Sequence, residues 1–173
     1  DLENAKIIET IAYRFGAKVT VKSNGVDCSI SNKVLYTFMR QLNFVGYSHT
    51  KKVPTFIHSL DVSGIQAFLR GYFSADGTGN SLGSSTVSKE LKNDVEHLLI
   101  GMEIYPNISY RNGGTFVKDG KSYNKRESWA ISIKDTESRK KFLELISFTQ
   151  AYKQNALYLA IACMYGKYQI GSK

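Results

Sequence analysis

Cysteine, histidine and acid are scarce in this chain, and each scarcity closes off a class of chemistry. The two cysteines, Cys28 and Cys163, stand far apart with no Cys-x-x-Cys partner, so neither a disulfide framework nor a structural zinc site is indicated. Reduced, partly buried thiols are the simpler reading. The three histidines, His49, His58 and His97, share no ligand-like spacing with one another or with a carboxylate, which speaks against a histidine metal cage or a hydrolytic triad. The longest apolar run, around Leu157 to Met164, falls well short of the roughly 20 residues of a membrane span. The sequence starts at Asp1 without a basic-then-apolar leader, so an excised or processed fragment that stays intracellular, cytoplasmic or organellar, is expected.

Positive charge is plentiful. The 173 residues carry 23 Lys and Arg against 15 Asp and Glu, a formal charge of +8, which favours a polyanionic partner. With 42% hydrophobic and 12% aromatic residues the chain has the material for a core, which excludes disorder, collagen-like sequence and a disulfide-stapled miniprotein.

Ile7, Ile8, Ile11, Ala12 and Phe15 recur at helical spacing ahead of Gly16, predicting a helix over 2–15. Lys18 to Lys22 and Val26 to Ser31 alternate on either side of Asn24-Gly25, the pattern of a hairpin. Asn32 is placed to cap a helix in which Val34, Leu35, Phe38, Met39 and Leu42 form a buried stripe, ending near Asn43. A second copy of this order follows: a helix closed by Val95, Leu98, Leu99 and Gly101, alternating segments at Asn107–Arg111 and Trp129–Ile133, and a helix through Phe142 and Ile146. The chain therefore reads as an internal duplication of α/β (α+β) class. Its parts are a truncated first half over 1–45, a linker over 46–60, a longer second half over 61–148, and a C-terminal helix and tail over 149–173. The second half carries in front an extra helix, about Asp61 to Ala75, and a Gly- and Ser-rich hairpin over 77–88.

The extra helix ends in Leu69-Arg70-Gly71-Tyr72-Phe73-Ser74-Ala75-Asp76-Gly77. Gly71 and Ala75, four residues apart, mark a face on which another backbone can pack closely. Asp76 lies at the C-terminal end, where the helix dipole disfavours a carboxylate and a bound divalent cation would offset both charges. A plain helix-to-strand turn is the alternative at Asp76-Gly77. A nucleotide-binding loop at Gly77-Thr78-Gly79 is disfavoured, because it follows a helix and lacks a Gly-Lys-Ser/Thr ending.

This nonapeptide resembles the signature helix of the LAGLIDADG homing endonucleases, with Gly71 at its packing glycine and Ala75-Asp76-Gly77 as its end. Lys52 to Ile57 before it and Ser84 to Leu91 after it are similar to the equivalent stretches of intein-encoded members, and the family's halves have the order αββαββα. The resemblance implies a site-specific, Mg²⁺-dependent endonuclease of double-stranded DNA, with Asp76 as metal ligand and catalytic carboxylate. Ser74 stands where the family has its other, less essential Asp. By the same resemblance Lys134, after the last strand, is the basic residue near the scissile phosphate, and Ser88 is the polar residue that organises active-site water. An ordinary solvated lysine is the alternative for Lys134. Only one signature helix is present where the family's active site takes two. An upstream segment supplies the other, two chains pair through this helix, or the protein has lost cleavage and only binds DNA. That last reading, a non-catalytic DNA-binding module, is the rival, with an RNA-splicing maturase a lesser one.

The polar faces of the hairpins are the expected DNA contacts: Lys18, Thr20, Lys22, Ser29 and Ser31 in the first copy, and Asn107, Ser109, Arg111, Ser128 and Ser132 in the second. The segment 112–127, read as a loop, adds Lys118, Lys121, Lys125 and Arg126 around Tyr123; it wraps DNA or is only a mobile basic loop.

Overall fold

The computed structural model describes residues 2–22, 28–44, 46–79 and 81–170. The chain divides into two compact units, residues 1–45 and 46–173.

In the first unit, α1 (Leu2–Arg14) is followed by β1 (Val19–Val21), β2 (Cys28–Ile30) and α2 (Lys33–Gln41). Gly16, at φ +63°, ends α1, with its N–H and those of Phe15 and Ala17 returning to the carbonyls of the last turn. β1 and β2 pair antiparallel with Thr20 opposite Ser29. The Asn24-Gly25 turn expected between them lies outside the described residues. Asn32 caps α2 by accepting from the Leu35 N–H at 2.8 Å, and its Nδ2 donates to the Phe15 carbonyl at 3.1 Å, tying the end of α1 to the start of α2. The expected buried stripe of α2 is corrected by the structure. No residue of that helix is buried, and Val34 is 68% exposed. Two helices and a three-residue ladder offer too little surface to cover it.

The second unit opens with a 3-10 helix, Thr55–Ser59, inside the predicted linker. α3 (Val62–Asp76) follows, capped by Asp61, whose carboxylate accepts from the Gly64 N–H and the Ser63 hydroxyl. Then come β3 (Gly83–Thr86), α4 (Lys89–Ile100), β4 (Asn107–Arg111), β5 (Gly114–Lys118), β6 (Lys121–Lys125), β7 (Ser128–Ser132), α5 (Thr136–Leu145) and α6 (Ala151–Ile170). The helix–strand–strand–helix order of α1 to α2 recurs as α4, β4, β7 and α5.

The main sheet is antiparallel, in the order β3-β7-β4. One face supplies Ile131 to a core built on Leu69 and Phe73 of α3, Leu99 of α4, Phe142 of α5 and Leu157 of α6. The rings of Phe73, Phe142 and Phe148 run through it with centroids 5.1 and 5.4 Å apart. Two expectations change. The hairpin over 77–88 reduces to a single bridge, Thr78 to Gly83, because β3 spends its ladder on β7. The segment 112–127 is no loop: β5 and β6 form a regular ribbon turned by Asp119 and Gly120, both at positive φ, the backbone of a two-residue hairpin.

Candidate functional site

Asp76 is the last residue of α3 and is exposed. It opens onto a cleft of about 460 Å³ within the second unit. Four cationic side chains line that cleft: Lys51, Arg111 at the end of β4, and Lys125 and Arg126 at the foot of the ribbon. Hydroxyls of Ser48, Ser85, Thr86 and Ser128 lie between them, and Asp76 is the sole carboxylate among the lining residues. Four cations around one acid make a site for phosphate rather than for another cation-rich partner.

Tyr72, one turn before Asp76, packs against β3 with its phenol 3.0 Å from the Ser84 hydroxyl. Burial pushes this phenol above its usual range; the Ser84 hydrogen bond works the other way, and the charge of Asp76 adds to the rise. On the far side of the turn, Lys153 of α6 is buried against the carbonyls that end α3, and burial lowers its ammonium while the charge of Asp76 opposes that shift.

The register of the sheet gathers the expected DNA contacts of the second half. Asn107 pairs with Ser132, Ser109 with Ala130 and Arg111 with Ser128, so side-chain alternation puts Asn107, Ser109, Arg111, Ser128 and Ser132 on one face, joined by Ser85 from β3. Ile108 and Ile131 take the other face, toward the core. In the ribbon, Lys118 faces Lys121, Phe116 faces Tyr123 and Gly114 faces Lys125, so three lysines and a stacked aromatic pair share one side. In the first unit Lys18, Thr20, Lys22, Ser29 and Ser31 are all exposed, Thr20 beside Ser29.

Two assigned residues fall elsewhere. Ser88 is 1% exposed and caps α4: its hydroxyl accepts from the Leu91 N–H and donates to the Lys51 carbonyl, which commits it to the backbone rather than to active-site water. Lys134 does not line the cleft. It is exposed two residues beyond the end of β7, whose last residue, Ser132, pairs with Gly83, the partner of Thr78 in the bridge that follows Asp76. The cations that line the cleft with Asp76 are Lys51, Arg111, Lys125 and Arg126; Lys51 was visible in the sequence only as half of a basic pair in a linker.

Gly71 and Ala75 are exposed on α3, and among the described residues nothing lies within 4 Å of a Cβ built on Gly71. No group of three or more His, Cys, Asp or Glu comes together among the described residues. Mg²⁺ is commonly held by one or two carboxylates, several waters and substrate phosphate, and the cleft offers Asp76 toward such a set. The donors present fit one half of it. No described helix is long and apolar enough to cross a membrane.

Comparison with known proteins places part of the chain in a family. The chain is 32% identical over 140 residues to the iron-sulfur cluster assembly SufBD family protein ML0593 of Mycobacterium leprae, covering 76% of this chain and 16% of that protein. It is 39% identical over 84 residues to a DNA polymerase of Thermococcus sp. (strain GE8), 45% of this chain and 5% of the polymerase. It is 27% identical over 144 residues to the ribonucleoside-diphosphate reductase NrdEB subunit alpha of Bacillus subtilis, 74% of this chain and 13% of that subunit. The chain thus spans only a small part of the length of these relatives. Residues 63–147, running from the first turn of α3 to just beyond α5, match the model of the LAGLIDADG-like domain, so this part of the chain is a LAGLIDADG-like domain.

Proposed function

We propose that this chain is the DNA-binding and DNA-cleaving part of an intein-borne homing endonuclease, hydrolysing phosphodiester bonds of double-stranded DNA at a specific site. The observation that carries the reading is the exposed carboxylate of Asp76 in a cleft otherwise lined by Lys51, Arg111, Lys125 and Arg126. The relatives support the intein origin. An iron-sulfur assembly protein, a DNA polymerase and a reductase share no chemistry, yet each is similar to this chain over a segment that is 5–16% of its length. A mobile insert common to unrelated hosts accounts for that pattern.

In this reading the polar face of β3, β7 and β4 lies along the major groove, where its serines and Asn107 meet base edges. The polar face of β1 and β2 does the same in the first half. Arg111, Lys125 and Arg126 grip the backbone beside Asp76 and offset the charge that grows on the phosphate being cleaved. Asp76 holds a divalent cation, Mg²⁺, which when bound supplies charge stabilisation and hydroxide near neutral pH. A second signature helix, from a partner chain or from another segment of the same protein, packs on the Gly71 and Ala75 face and brings a second acid. An intracellular location goes with the DNA partner.

A non-catalytic DNA-binding module is the second reading, favoured by the single carboxylate of the cleft. Incubating a randomised duplex library with the protein and Mg²⁺ separates the two. The wild type is expected to cut a subset of sequences, and Asp76→Asn to bind the same subset without cutting. Selective binding by both without cleavage establishes the binding-only reading, and cleavage by Asp76→Asn at the wild-type rate refutes the role of Asp76.

A further inference from the structure

One helix beyond the family match reaches the acid from behind. Lys153, on the first turn of α6, is 7% exposed and directs its ammonium into the C-terminal end of α3. It donates to the Ser74 carbonyl at 2.6 Å and to the Gly77 carbonyl at 2.7 Å, with the Phe73 carbonyl at 3.4 Å. The Phe148 ring lies 5.8 Å from the cation on another side. Thr149 donates its N–H to the Ser74 hydroxyl at 2.8 Å, and the Gln150 amide donates to the Ser74 carbonyl at 2.7 Å. Gly79 completes the fit, because a Cβ there would come within 2.9 Å of the Lys153 carbonyl oxygen.

The physical need is clear. The last carbonyls of a helix have no partner within it and carry the negative end of its dipole. Asp76 adds a full negative charge to that end. A buried ammonium among the carbonyls of residues 73, 74 and 77 satisfies them and offsets both, while fixing the backbone immediately before and after the acid.

We propose that Lys153 is the positioning residue of Asp76, its ammonium clamping the flanking carbonyls so that the carboxylate is held toward the cleft in the geometry a divalent cation needs. The proposal rests on the reading of Asp76 as a metal ligand, and it makes α6 a working part of the site although that helix lies beyond residues 63–147.

The test uses the full chain in a Cys28→Ser, Cys163→Ser background. Lys153→Met is compared with Lys153→Cys before and after alkylation by bromoethylamine, which restores an ammonium at nearly the native length. Amide hydrogen exchange at Gly77 and Thr78 and Mn²⁺ affinity by electron paramagnetic resonance are read. Lys153→Met should exchange these amides and release Mn²⁺ about tenfold more readily, a loss typical of one charged hydrogen-bonding group, and the alkylated cysteine should recover both. Unchanged exchange in Lys153→Met overturns the clamp, and Mn²⁺ affinity equal to the parent overturns its role toward the metal. Equal Mn²⁺ binding by the parent and Asp76→Asn refutes the metal reading of Asp76 instead, a failure that the exchange measurement keeps apart. Lys153→Gln, a donor without charge, carries the same comparison if Lys153→Met does not fold.

Discussion

Tyr72 and Ser84 meet at 3.0 Å, phenol to hydroxyl, and so fasten the signature helix to the strand that begins the sheet. Removing the phenol in Tyr72→Phe should cost about 1 kcal/mol at neutral pH, the usual net worth of such a hydrogen bond. The pH dependence has a definite sign. Because burial raises the folded-state pKa of Tyr72, the neutral phenol's contribution is complete below the unfolded value near pH 10 and is lost as pH rises through the folded value. Urea midpoints of wild type and variant should therefore converge above about pH 10, and parallel curves would contradict the assignment.

Ser88→Ala removes the cap of α4 and the tether to the Lys51 carbonyl together. A loss of about 1–2 kcal/mol is expected in urea unfolding. If Lys51 contacts phosphate, DNA affinity at low salt should fall with it, since that tether holds the Lys51 backbone; unaltered affinity would show that Lys51 is positioned by other means.

Two glycines should respond in opposite ways to alanine. At Gly83 a Cβ would lie 2.5 Å from the Ile131 carbonyl oxygen, so Gly83→Ala must part β3 from β7, at about 1–3 kcal/mol. At Gly71 a Cβ meets nothing, so Gly71→Ala should raise the stability of the isolated chain by about 0.5–1 kcal/mol through helix propensity. If a second signature helix packs on that face, the same change weakens assembly, read by light scattering or ultracentrifugation. Equal stability effects at the two positions would refute the contrast.

Replacing Lys118, Lys121 and Lys125 by alanine should lower the salt dependence of duplex binding. If all three touch phosphate, the slope of log affinity against log salt should fall by about 2.7, at about 0.9 for each contact. Fluorescence anisotropy with a duplex of arbitrary sequence measures it, and an unaltered slope excludes the ribbon from the interface.

What the sequence revealed was local. Helix period and caps identified α1, the Asn32 cap and a helix over about Asp61 to Ala75 because each signal lies within a few residues of what it specifies. Alternation assigned Asn107 to Arg111 and Trp129 to Ile133 to strands, within one residue of β4 and β7, and with them the face that carries the polar residues. Pairing was hidden. Nothing near Gly83 announces that β3 lies against β7, almost fifty residues on, so the hairpin expected locally did not form. Lys153 was invisible for the same reason: its hydrogen bonds span 76 to 80 residues. The ribbon escaped because none of its residues is buried, leaving no apolar alternation to detect.

That absence of burial has a further consequence. The ribbon leaves the sheet at Arg111 and returns at Ser128, residues directly opposite one another, and it contributes no side chain to the core. Its length is therefore free to drift without loss of stability, but not by every increment. Side chains alternate with a period of two, so adding one residue to each strand would carry the tip lysines to the opposite side, whereas adding two would return them. The reach of this arm can change in evolution, and in engineering, by paired steps that leave the rest of the protein untouched.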